Sequence, residues 1–141
     1  MNKKILGIFL IGTLLLASSV AMAQSVGWKT YTNEKYDFSI KYPDEWGKNE
    51  VSGDLYAVVS FSGPKGKNIA ASVSAIETES PKNLKEKIVT KNFTIGGITQ
   101  KQIITVKNGR MYVMTFVANH EAFKEANDTY FKGMIKSFKL E

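Results

Sequence analysis

Cysteine is absent from this chain, and histidine and arginine occur once each, as His120 and Arg110. Each scarcity removes a class of function. Without thiols there is no disulfide framework, no cysteine-based zinc site and no cysteine to carry the lipid of a lipoprotein. A Ser–His–acid set would have to recruit His120, beside Asn119 and Glu121, and no Gly-x-Ser-x-Gly elbow exists to present a strained serine. Asp44-Glu45 and Glu77/Glu79 are the only close acidic pairs, and no Asp-x-Asp/Asn-x-Asp/Asn-Gly loop occurs to gather oxygen ligands for calcium. Nor does any glycine spacing suit a phosphate cradle. The expectation is a protein with no catalytic residues, no metal and no cofactor.

The shortage of arginine also bears on partners. Bidentate contacts to bases and phosphates favour guanidinium groups, so specific nucleic-acid recognition is not expected of a lysine-rich chain. The whole chain carries a formal charge of +6, from 19 basic and 13 acidic residues. Most scattered lysines simply keep a domain soluble, although attraction to an anionic cell wall or lipid surface is compatible with this balance.

What is present begins with a leader. Lys3 and Lys4 precede an uncharged run rich in Leu and Ile from Ile5 to Val20, and Ala21-Met22-Ala23 supplies the small residues a signal peptidase reads. We expect residues 1–23 to be a signal peptide cleaved between Ala23 and Gln24. Were it kept, the run would just suffice as a membrane anchor, which needs about 20 apolar residues. Residues 24–141 are then one domain, exported to the periplasm or cell envelope or secreted. Stability must come from burial of aromatic and branched side chains, at about 25 cal/mol per Å².

The stretch from Tyr31 to Trp46 has the strongest pattern. Tyr36, Phe38, Ile40 and Tyr42 alternate with Asp37, Ser39 and Lys41, which predicts a strand with one apolar face. After a short lead over residues 25–30, this strand is expected to run to Tyr42, where Pro43 ends its ladder and Trp46 packs back on it. Residues 49–54 read as a polar loop. Residues 55–61 and 69–76 read as strands separated by a Gly/Pro turn. The small residues of the second, Ala70, Ala71, Ser72, Ser74 and Ala75, suggest close packing, most simply by a helix. Ser80-Pro81 opens a short helix with Leu84 and Ile88 on one face. Gly96-Gly97 breaks the next segment, and residues 103–106 and 111–118 alternate as strands. Asn108-Gly109 is the preferred pair for a tight hairpin between them. A final helix spans about residues 121–137, with Asn119 as its cap. Phe123, Ala126 or Asn127, Tyr130, Met134 and Phe138 form its stripe at helical spacing, widened by Phe131 and Ile135, and Gly133 inside it points to close packing.

These segments resemble PsbP-like domains, the family of the extrinsic photosystem II subunit and its non-photosynthetic relatives. The opening Tyr31-Thr-Asn33, Tyr36, Phe38-Ser-Ile-Lys-Tyr-Pro43 and Trp46 match its first strand. Asn108-Gly109, Tyr112 and the closing Met134-Ile-Lys-Ser137-Phe138 match its last strand and helix. The passage between Phe93 and Asn108 looks shorter than the family's two strands, so a strand there is expected to be truncated or missing. The resemblance implies an α+β fold, an antiparallel sheet flanked by helices as an αβα sandwich. Because a Ran-binding nuclear import factor shares that architecture, fold alone does not fix function.

The leading expectation is an exported non-catalytic binding or accessory module at the outer membrane face or in the envelope, with a protein or envelope partner. A secreted hydrolase using carboxylates or His120 is one alternative, and a weak binder of anionic polymers another. Trp28, Tyr31, Tyr36, Tyr42, Trp46 and Tyr56 are numerous enough for a ligand-stacking surface. Alternation, however, assigns Tyr36, Tyr42 and Trp46 to the core and leaves only Trp28 and Tyr31 outside it. Asn92-Phe-Thr94 and Asn127-Asp-Thr129 are formal N-glycosylation triplets.

Overall fold

The computed structural model describes residues 25–51, 57–77 and 88–141. Their elements form two antiparallel sheets and one interrupted C-terminal helix. The small sheet has the order β1-β2-β9, from Trp28–Asn33 (β1), Phe38–Pro43 (β2) and Lys139–Leu140 (β9). The large sheet comprises Gly47–Glu50 (β3), Ala57–Ser62 (β4), Ala70–Glu77 (β5), Val89–Ile95 (β6), Ile98–Lys107 (β7) and Arg110–Asn119 (β8). Its strands run in the order β3-β4-β5-β8-β7-β6. The helix joins β8 to β9 as α1 (His120–Ala126), a π-helical turn (Asn127–Phe131) and α2 (Lys132–Ser137). The expected α+β antiparallel architecture is observed.

The helix and the small sheet both lie against one face of the large sheet. Inward residues of β5 (Ala71, Val73, Ala75) and β8 (Tyr112, Met114, Phe116, Ala118) are buried, and their outward neighbours are half-buried. The covering layer supplies aromatic rings. Phe38 of β2 meets Tyr112 at 6.1 Å between centroids, Tyr31 of β1 meets Phe61 at 6.2 Å, and Phe131 of the π turn meets Phe116 at 5.1 Å. Such tilted and edge-on pairs add roughly 0.5–1.5 kcal/mol each beyond their burial. Thus the small residues of β5 face a mixed layer of helix and sheet rather than a helix alone.

Several expectations need correction. The opening segment is not one strand but a hairpin, β1 paired with β2 from Trp28↔Pro43 to Asn33↔Phe38. Asn33 causes the reversal: its side-chain oxygen accepts the Tyr36 N–H at 2.9 Å, and Asp37 adopts a φ of 51°. Tyr31 accordingly joins the core, because pairing with Ile40 turns its ring inward. The polar loop at 49–54 begins later than expected, since Asn49 and Glu50 belong to β3 and pair with Ser60 and Val59.

The passage before Asn108 is complete, with β6 paired along its whole length to β7, from Val89↔Ile104 to Ile95↔Ile98. Gly96 and Gly97 are its two-residue turn, both with positive φ, as are Asn108 and Gly109 in the hairpin that was expected. Asn119 precedes the helix but makes no side-chain capping bond. The helix expected from Ser80 lies outside the described residues except for Ile88, which is non-helical and exposed rather than on a buried helix face.

A five-residue step separates the buried Ala126 from the fully buried Phe131. An α-helix would bring Tyr130, four residues on, to that face; the π turn inserts one residue and swings Phe131 inward instead. Tyr130 packs on Trp46 at 5.1 Å between ring centroids. Trp46 therefore packs against the helix, and its buried indole N–H has no acceptor among the described residues.

Candidate functional site

An open groove runs between the outward face of the small sheet and α2, with a volume of about 490 Å³. Its construction follows from the register. Trp28, Thr30 and Thr32 of β1 stand opposite Pro43, Lys41 and Ser39 of β2, and Ser39 stands opposite Lys139 of β9. Alternation buries Tyr31, Phe38 and Ile40, so Trp28, Thr30, Ser39 and Lys41 share the face that points away from the core.

β9 reaches only as far as Phe38 and Ser39, and beyond it the helix end takes over the edge of β2. There the Ser137 hydroxyl accepts the Lys41 backbone N–H at 2.8 Å and donates to the Met134 carbonyl at 2.7 Å. This side chain replaces a missing sheet bond and fixes one wall of the groove. Gly133 fixes the other contact. A Cβ on Gly133 would lie 2.7 Å from the Trp28 ring, so only glycine lets the indole rest on the helix. Trp28 remains 37% exposed there.

The charge is one-sided. Lys41, Lys136 and Lys139 line the groove and no acidic residue does. All three lysines are exposed, and none makes an ion pair among the described residues. The groove thus combines an aromatic plate, three ammonium groups and, beside the engaged Ser137, two further hydroxyls, Thr30 and Ser39. It is suited to binding, and contains no pair of groups arranged for proton transfer.

His120 lies at the opposite end of the helix, about 25 Å from Ser137 at 1.5 Å per residue. Its Nδ1 is 2.8 Å from the Thr99 hydroxyl, which in turn is 2.9 Å from that of Thr94. The His120 backbone N–H donates to the Gly97 carbonyl at 2.8 Å. These bonds tie the β6–β7 hairpin to the helix start, and no carboxylate bonds the ring among the described residues. Asp44, Glu45 and Glu77 are exposed. Among the described residues no three His, Asp or Glu side chains gather as metal ligands.

Arg110 occupies a structural cluster. Its guanidinium bonds Glu77 at 2.6 and 2.7 Å, approaches Asp37 at 3.6 Å and lies 5.4 Å from the Tyr36 ring centroid. The Tyr112 hydroxyl donates to the Tyr36 carbonyl at 2.6 Å. The hydrogen bond between Arg110 and Tyr112, and then the Glu77 contact, holds the guanidinium pKa above its ordinary value. Together these groups pin the β1–β2 turn to the large sheet. Burial raises the Tyr31 hydroxyl pKa, and Lys132 lowers that of the Asp128 carboxyl.

Of the positions singled out in the sequence, Ala23, Gln24, Tyr56 and Glu79 lie outside the described residues. Asn92 is exposed on β6, whereas the Asn127 side-chain oxygen accepts a bond from Lys101 at 3.3 Å. Trp28 was separable from the core by pattern. Lys41, Lys136 and Lys139 were not, because nothing distinguishes them locally from the other lysines.

No family model and no curated protein matches the sequence. Solved structures do match the fold. The solution structure of cyanobacterial PsbP (CyanoP) from Synechocystis sp. PCC 6803 is similar with a TM-score of 0.58 at 13% identity, over 85% of this chain and 96% of that one. A Bacteroides thetaiotaomicron protein is similar with a TM-score of 0.57 at 15% identity, over 80% of this chain but 48% of that one. The chain therefore has a PsbP-like fold. Among its described residues no helix is long and apolar enough to cross a membrane.

Proposed function

We propose that this chain is an exported, non-catalytic binding or accessory domain that works at the outer face of the membrane or in the cell envelope. The single observation that carries the binding role is the groove that Trp28 shares with three lysines, none of which makes an ion pair among the described residues. Export rests on the basic start, apolar run and Ala-x-Ala ending of residues 1–23. The PsbP-like fold supports an accessory role by analogy, and a fold hosts many functions.

The test has two parts. Intact mass of the protein from its native host should give a chain beginning at Gln24; retention of residues 1–23 in membrane fractions would replace export with anchoring. The mature chain, immobilised and exposed to the extracytoplasmic fraction, should retain a partner that Trp28→Ala loses. A hydrolytic turnover abolished by His120→Ala would overturn the non-catalytic reading.

A further inference from the structure

We propose that the groove between the small sheet and α2 binds an acidic saccharide, a sugar chain whose rings carry carboxylate or sulfate groups. This rests on the binding role proposed above and names the ligand class for that site. Three features select the chemistry.

The first is uncompensated charge. Lys41, Lys136 and Lys139 converge on one open groove with no acid in its lining and no ion pair among the described residues. Like charges gathered at one concave surface repel each other and concentrate anions there. Lysine presents a point charge rather than the planar fork of arginine, so it suits single carboxylate or sulfate oxygens without demanding a bidentate partner.

The second is the Trp28 ring. It is seated on Gly133, where any side chain would collide with it, and is still 37% exposed. A sugar presents a face of C–H groups, and the negative face of an aromatic ring attracts their positive edge. A bare anion has no use for such a plate, whereas a sugar ring has.

The third is the pair of short hydroxyls. Thr30 and Ser39 stand on β1 and β2, on the same outward face as Trp28 and Lys41. Held by strands, they lose little freedom when they bond sugar hydroxyls. The groove volume of 490 Å³ also falls within the roughly 300–1,000 Å³ of ordinary ligand sites.

Single-stranded nucleic acid also combines stacking with anionic groups. Its binding surfaces set several aromatic plates along a basic track, however, and this groove holds one ring among hydroxyls and crowded lysines. The saccharide fits better.

The experiment titrates the mature chain with trigalacturonate, followed by calorimetry and by tryptophan fluorescence. Trp28 lines the groove and Trp46 is buried, so a spectral change lost in Trp28→Phe reports the site. The acid should bind at least about tenfold more tightly than its methyl ester, which has the same rings without charge. Trp28→Ala and the double variant Lys41→Gln/Lys136→Gln should each weaken it by about tenfold, and raising salt should weaken it further. Lys91→Gln, on the far edge strand, should leave it unchanged. Thermal unfolding of each variant separates a lost site from a lost fold.

Equal binding of acid and ester overturns the charge argument. Full binding by folded Trp28→Ala overturns the ring argument. Tighter binding of an oligothymidylate, or equal competition by inorganic phosphate, overturns the saccharide class, as does no binding of trigalacturonate or of a heparin fragment. If those probes fail while the envelope partner is still lost in Trp28→Ala, the binding role stands and only the ligand class falls.

Discussion

Two hairpins of this molecule obey the same local rules and meet different fates. β1–β2 and β6–β7 both alternate in sequence, and both close in turns with backbone at positive φ. The first is locked in place. Phe38 is fully buried among Tyr31, Tyr112 and Phe138, and Arg110 with Tyr112 anchors the turn. The second forms an edge: every residue of β6 from Thr90 to Ile95 is exposed, and Ile95 and Ile98 face water at its tip. Local pattern makes a hairpin, but a second layer decides whether it becomes core.

The widest test of this contrast exchanges one ring on each hairpin. Phe38→Ala should lower unfolding free energy by about 3–5 kcal/mol in denaturant titration, the usual loss for a buried phenylalanine. Phe93→Ala, on the exposed strand, should cost under about 1 kcal/mol. Equal losses would mean that β6 is as well packed as β2.

A smaller effect is expected from the pin. Arg110→Ala should cost about 1–2 kcal/mol, because it strips a part-buried hydrogen bond to Tyr112 and an exposed, charge-assisted one to Glu77. Lys91→Ala on β6 should stay within about 0.5 kcal/mol. Arg110→Lys should fall between the two, since an ammonium keeps the charge and loses the fork.

Glycines sharpen the comparison further. Gly133 is needed for space, whereas Gly97 has a φ of 77° with open space around it. Gly133→Ala should destabilise the native chain yet stabilise Trp28→Ala by up to about 1 kcal/mol, as helix propensity reasserts itself. Gly97→Ala should destabilise in either background by about 1–2 kcal/mol, because the strain is in its own backbone. Thermal melts of the four combinations distinguish the two causes.

The smallest effect is electrostatic. Lys132 lowers the Asp128 pKa below its unfolded value, so the stability it contributes is present above the ordinary carboxylate range and is lost as pH falls through the folded pKa. Asp128 is exposed, and Asp128→Asn should therefore remove only a slight acid-side slope from the curve of stability against pH. A large change would show that the carboxylate acts through more than its surface lysines.

Much of this fold was legible because its signals are local. Phe38, Ile40 and Tyr42 declare a buried face by alternation, and Asn108-Gly109 declares a hairpin through its tolerance of positive φ. The same reasoning, applied to Gly96-Gly97, would have found β6–β7. The hairpin over 28–43 was obscured because the clear alternation begins only at Tyr36, and the Asn33 side-chain bond that reverses the chain leaves no periodic trace. The π turn was hidden for a related reason: Tyr130 and Phe131 are equally apolar, and only a packed partner chooses between them.

The candidate groove divides in the same way. Sequence set Trp28 apart and supplied lysines, a glycine in a helix and alternating hydroxyls. Those properties belong to single residues and their near neighbours. Which lysines converge, and why Gly133 must be glycine, was decided when β9 stopped short and Ser137 took its place along β2. Chain composition determines what chemistry is available, but a site is a set of distances between residues about a hundred positions apart, and only packing fixes those.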